Sequence, residues 1–152
     1  MSSMRIIIER DADALDLPLP HYATVGAAGM DLYAAITETL ELAPGQRALV
    51  PTGVRIAVPE GFEAQVRPRS GSALRQGLAL VNSPGTIDSD FRNTVQVILI
   101  NLGQEPIRIE RADRIAQLVV APFVRVEWEE RPLAGLPTTE RGERGFGSTG
   151  HK

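Results

Sequence analysis

A chain of 152 residues holds one ordinary domain with its own core and is too short for two comfortable ones. Its net charge of −3 lacks the basic footprint of a general nucleic-acid binder. The absence of cysteine removes disulfides, thiol nucleophiles and thiolate zinc sites, including the His/Cys/Cys centre of zinc nucleotide deaminases. The opening MSSMRIIIER has too short an apolar run for a signal peptide, and no segment approaches the ~20 apolar residues of a membrane span. The expectation is a soluble cytoplasmic protein with neither nucleic acid nor membrane as partner.

Fourteen glycines and eleven prolines, roughly 16% of the chain against a usual ~12%, punctuate it every few residues, which is the rhythm of short strands. In chain order, AAGMDLYA at 27–34 places Asp31 after a Gly turn and before a strand. Alone, such an Asp is more often structural than a metal contact. β-branched or alternating runs at 47–50, 54–58 and 63–66 read as strands. RPRSGS at 67–72 then sets guanidinium, hydroxyl and glycine-freed amides together, all suited to phosphate oxygens, although an Arg-Ser-Gly turn is common on surfaces. Residues 72–76, between Gly71 and Gly77, can form a turn or so of helix, too short to build a core.

An apolar run at 78–81 leads into NSPGTIDSDF, residues 82–91, and 95–100 leads out, so Asp88 is expected near the mouth of a β-hairpin. A carboxylate there can hold a water, but by spacing alone it more often caps a turn. Further strands are expected at 107–109 and 115–120, the second overlapping RADRIAQL, which supplies Arg114 and Gln117. The class is all-β. From 131 to 152 the chain has two prolines, five glycines and almost no apolar residues, too few to fold alone. Its one aromatic, Phe146 in RGERGFGSTG, suggests a segment that orders over a flat ligand. The division expected is a β domain over 1–130 and a flexible arm over 131–152.

AAGMDLYA, RPRSGSA, NSPGTIDSDF, RADRIAQL and RGERGFGSTG resemble, in order and spacing over residues 26–150, the five motifs of the trimeric dUTPases. The resemblance implies a jelly-roll-like β-barrel that assembles as a homotrimer with shared active sites. It also implies hydrolysis of dUTP to dUMP and pyrophosphate, which limits uracil incorporation into DNA and supplies dUMP for dTTP synthesis. Asp88 would orient and deprotonate the water that attacks the α-phosphorus. An ordinary carboxylate is a modest base at neutral pH, so its contribution would be mostly positioning.

Asn82 and the backbone of Gly85, Thr86, Ile87 and Asp88 would read uracil by its O4 acceptor and N3–H donor, a pattern cytosine reverses. Phe91 would stack on the deoxyribose and crowd out a 2′-hydroxyl, with Gln96 a weaker nucleoside contact. Arg69, Ser70, Gly71 and Gln117 would hold the phosphates. Arg141, Ser148 and Thr149 would close over the terminal phosphate, and Phe146, with Gly147 beside it, would cover the uracil as a lid. Asp31 would act through waters on a Mg²⁺ cofactor held mainly by the triphosphate.

The sequence departs from the family's pattern in three places. Phe91 replaces a usual Tyr, Asn93 and Thr94 replace Gly-Glu, and Arg144 stands where the arm has glycine. Asn93 is expected to keep a left-handed turn; Arg144 would either strain the lid or add a cation near the phosphates. Two alternatives remain open. One is a non-catalytic nucleotide-binding regulatory trimer, the other a dCTP deaminase of the same superfamily.

Overall fold

Turn residues cut the described part of the chain, residues 4–145 of a computed structural model, into eleven strands, none longer than nine residues. They are β1 (Ile7–Arg10), β2 (Met30–Tyr33), β3 (Leu40–Leu42), β4 (Arg47–Pro51), β5 (Val54–Ala57), β6 (Phe62–Arg67), β7 (Leu78–Leu80), β8 (Gly85–Ile87), β9 (Gln96–Asn101), β10 (Ile107–Ile109) and β11 (Arg114–Pro122). One helix, α1 (Ser70–Gln76), follows β6.

All pairings are antiparallel. β2-β11-β6-β8 form a four-stranded sheet and β4-β9-β7 a three-stranded one; β1-β5 and β10-β3 are ribbons. Strand alternation sends one face of each sheet inward, as in β9, where Val97, Leu99 and Asn101 are buried and their neighbours less so. Leu32, Val50, Val97, Leu99 and Ile115 form the centre of the resulting core. Asn101 is tolerated there because its amide donates to Leu42 O and Glu105 O, both at 2.8 Å, and its Oδ1 accepts from Gly103 N.

The expected strands at 47–50, 54–58, 63–66, 95–100, 107–109 and 115–120 all fall on strands of the structure, and the helical turn extends back to Ser70. Two expectations need correction. Asp31 lies within β2 instead of ahead of a strand. The hairpin is also more than a loop: β7 and β9 do pair, Leu78 opposite Asn101, but their connection crosses to the other sheet and pairs as β8 with β6. Only three residues long, β8 carries no period of its own; it is held by partners 19 to 23 residues earlier.

Candidate active site

The excursion of the β7–β9 connection builds a pocket of ≈ 140 Å³ lined by Asn82, Gly85, Thr86, Ile87, Phe91 and Gln96, with Val66, Leu80, Thr94 and Val95 completing the wall. That volume is below the ~300–1,000 Å³ of sites that enclose a whole drug-sized ligand, so it suits a single ring system. Gly85 lets Asn82 lie close over the strand: a β-carbon there would be 3.0 Å from Asn82 Nδ2 and in ordinary contact, 3.6 Å, with Val66 Cβ, so a larger residue would push the Asn82 amide aside. β8 pairs with β6 on one side and is the last strand of its sheet. The outer side of its backbone therefore offers fixed donors and acceptors to a ligand. Six residues expected to contact the nucleoside meet here. Thr94, Val95, Val66 and Leu80, which no motif singled out for the pocket, meet them.

A second cluster is cationic. Arg69 Nε donates to Asp31 Oδ1 at 2.8 Å and Arg114 Nη1 lies 3.5 Å from Asp31 Oδ2, so two guanidiniums share one carboxylate and leave a net positive charge. Arg69 is also the residue that precedes α1, whose first turn holds Ser70 and Gly71. Gln117 stands opposite Asp31 on one side and Arg67 on the other, and its Nε2 donates to Pro68 O at 2.8 Å. Gly29 makes room for that amide, since a β-carbon at 29 would fall 2.2 Å from Gln117 Oε1. Arg69, Ser70, Gly71, Gln117 and Asp31 thus gather at one end of the four-stranded sheet, and Arg114 joins them.

Among the described residues no three His, Cys, Asp or Glu side chains are placed to hold a metal ion between them. Asp31 is a lone carboxylate already turned toward two arginines. Such a donor set fits an ion that keeps its waters and is held by a ligand's phosphates, not one that needs a protein cage.

Asp88 follows β8 on an exposed turn in which Phe91 N donates to Asp88 O at 3.2 Å, bringing Phe91 to the pocket. Asp88 itself borders a wider depression of ≈ 810 Å³ together with Glu60, Asp90, Arg92, Phe123 and Arg125. Asp88 is thus tied to the pocket by the Phe91 N–H, but among the described residues no side-chain hydrogen bond or ion pair joins this hairpin to the cationic cluster. Arg141 is exposed, its Nε donating to Arg144 O at 3.1 Å. Phe146, Gly147, Ser148 and Thr149 lie outside the described residues.

Two departures resolve locally. Asn93 does not take a left-handed conformation; among the described non-glycine residues only Ala112 does, at φ 69°. Asn93 Oδ1 instead accepts from Thr94 N at 2.8 Å, closing the turn through the side chain. Arg144 is likewise outside the left-handed region, so its β-carbon strains nothing in this conformation.

The turn before β11, which aims Arg114 at Asp31, is pinned from outside. Arg111 grips Asp16 through Nε (3.0 Å) and Nη2 (2.6 Å) and also donates to Ile36 O. Hydrogen bonding from Arg111 holds the Asp16 carboxyl below the usual carboxylate value of 3.8, and the same bond raises the Arg111 guanidinium. The partners are 95 residues apart, so no local pattern announces them.

Against known proteins, the dUTPase family model matches residues 16–150. The chain is 57% identical over 149 residues to the deoxyuridine 5'-triphosphate nucleotidohydrolase of Beijerinckia indica, covering 97% of this chain and 92% of that one. It is 50% identical to the enzyme of that name from Wolbachia of Brugia malayi, covering 98% and 96%. The fold is similar to that of Staphylococcus bacteriophage 80alpha dUTPase solved with dUpNHpp, with TM-score 0.85, 24% identity and 97% and 99% of the two chains covered. A phage phi11 dUTPase of S. aureus described with a structural Mg(II) ion matches at TM-score 0.75, 20% identity, 84% and 97% coverage. The jelly-roll-like β fold is therefore the one observed here, and with a family match across most of its length the chain belongs to the dUTPase family.

Proposed function

We propose that the protein is a dUTP diphosphatase, cleaving dUTP to dUMP and pyrophosphate. The observation that carries this is the edge strand β8, whose outer, unpaired side lines a ring-sized pocket between Asn82 and Phe91. Uracil can satisfy fixed donors and acceptors there, whereas cytosine, with its pattern reversed, leaves them unpaired. The wall built by Gly85 to Ile87 also leaves little room for a 5-methyl group. Phe91 packs against the sugar, and Gln96 supplies a further polar contact.

Arg69, Ser70, Gly71 and Gln117 take the phosphates, with Arg114 adding charge. Arg141 and the segment holding Phe146, Gly147, Ser148 and Thr149 cover the bound nucleotide and exclude water. Mg²⁺, when bound through the triphosphate with Asp31 contacting its waters, supplies neutralisation of phosphate charge. Asp88 accepts a proton from a water as its oxygen attacks the α-phosphorus. The bond between that phosphorus and the bridging oxygen to the β-phosphate breaks, and pyrophosphate leaves with the electron pair.

Because no side-chain hydrogen bond or ion pair ties the hairpin that carries Asp88 and the pocket to the arginine cluster among the described residues of one chain, the complete site is read as shared between copies in a homotrimer. No helix among the described residues is long and apolar enough to cross a membrane, in keeping with an enzyme that meets nucleotides in the cytoplasm. Pyrophosphate release with Mg²⁺ from dUTP, dCTP, dTTP and UTP tests the proposal. Release from dUTP alone is expected; none from dUTP, or faster release from dCTP, would overturn it.

A further inference from the structure

The pocket wall is held from behind by a residue that belongs to none of the motifs. Where the chain leaves β1, Asp11 N donates to Gly53 O at 2.8 Å, which seats Asp11 under the β4–β5 turn. Its Oδ2 accepts from Thr94 Oγ1 at 2.6 Å, a short charge-assisted bond. Its Oδ1, sealed from solvent, has Arg55 Nε 2.9 Å away as an ionic neighbour but no well-aligned hydrogen bond. That same Nε is 3.5 Å from Thr94 Oγ1.

Thr94 lines the ring-sized pocket, and the residue after it is immobilised: Val95 N donates to Val54 O at 2.8 Å, while Val95 O accepts from Thr52 N and from Thr52 Oγ1. With the backbone fixed on that side, the remaining freedom of the wall at this point is the rotamer of Thr94. A threonine has few χ1 wells, and a charged acceptor on one side selects among them.

We infer that Asp11 is a positioning residue for the nucleoside pocket: by holding the Thr94 hydroxyl it sets the wall that stands between Phe91 and Gln96, and so the fit of the deoxynucleoside. The inference rests on reading that pocket as the nucleoside site. Asp11 touches no reacting atom, so its loss weakens binding of substrate and transition state alike and leaves the chemical step intact.

A double-mutant cycle in the full-length protein tests this. Asp11→Ala and Thr94→Val are each expected to raise KM for dUTP roughly tenfold, the scale of one stranded polar group, with kcat within about twofold. The double variant is expected to be no worse than the larger single effect, since both remove one bond. Asp11→Asn, which keeps shape and an acceptor, should lose less and also guards against misfolding of the alanine variant.

An unchanged KM in Asp11→Ala, or single effects that multiply to around a hundredfold in the double variant, would overturn the inference. Titration with dUMP, followed at the amide resonances of Thr94 and Gln96, reads the pocket without turnover. If the wild type releases no pyrophosphate from dUTP, the functional proposal fails by itself. Thr94 and Gln96 resonances that stay in place in Asp11→Asn and Asp11→Ala would then remove the positioning role separately.

Discussion

Asp88 and Phe91 sit three residues apart on one turn and are expected to fail in different ways when changed. Asp88 is exposed, and its one hydrogen bond among the described residues is through its backbone carbonyl to Phe91 N, so Asp88→Asn should leave the pocket and dUTP affinity intact. Turnover is expected to fall by on the order of 10² or more, the usual cost of a lost general base. Single-turnover kinetics beside a dUTP-analogue titration separate the two quantities, and wild-type turnover would exclude Asp88 as the base. Phe91 lines the pocket with its ring partly exposed. Phe91→Ala is expected to cost roughly 1–3 kcal/mol of discrimination between dUTP and UTP, what a pocket gains by rejecting one small group. The ratio of kcat/KM values for the two nucleotides measures it, and an unchanged ratio would assign sugar selection elsewhere.

Short elements here depend on clasps between distant segments, and the Arg111–Asp16 pair is the clearest. It ties the segment after the 3-10 turn Ala12–Ala14 to the turn that feeds β11, and thereby steadies Arg114 beside Asp31. Because the Asp16 carboxyl is depressed below 3.8 in the folded chain, its contribution to stability is complete above its unfolded value. It fades as pH falls through the still lower folded value. The Tm difference between wild type and Asp16→Asn is therefore expected to be present near pH ~6 and to close below about pH 4. Thermal unfolding across that range checks it; a difference independent of pH would mean that the pair's charge plays no part. A tight approach performs a similar task at α1, where Gly77, at φ 72°, ends the helix. A β-carbon there would sit 2.4 Å from Gly103 N, so only glycine lets the helix end meet the β9–β10 turn.

At the scale of the molecule, the last strand ends at Pro122 and the described chain beyond it, to residue 145, has no helix or strand. It nevertheless carries Val124 at 86% exposure and Trp128 at 93%, apolar surface with no cover among the described residues. A shared-site trimer gives such a segment somewhere to dock. In that arrangement Asp88→Asn and a truncation after Arg131, each inactive alone, complement when co-expressed. A site is whole when its Asp88 comes from the truncated chain and its arm from the other, about one site in four for random mixing in a closed three-fold ring. Pyrophosphate release at around a quarter of the wild-type level is the expected result. Activity no higher than that of the separate variants would mean that each arm serves its own subunit.

The sequence by itself determined the all-β class, because Gly/Pro spacing and residue alternation are local and survive without knowledge of partners; Ile107–Ile109 is a strand in the pattern and in the structure alike. It also located the motif residues, since Asn82, Gly85 and Phe91 do line one pocket and Arg69, Ser70 and Gln117 do gather at one sheet end. The tertiary structure decided what those residues face. β8 is a strand only because β6 lies beside it, and it is an edge because among the described residues no further strand joins that sheet. Asp31 is bound to arginines 38 and 83 residues away, and Thr94 to an aspartate 83 residues before it. A side chain's partner depends on sheet order and register, which are set by pairing over long loops, and neither is written in the spacing of the residues themselves.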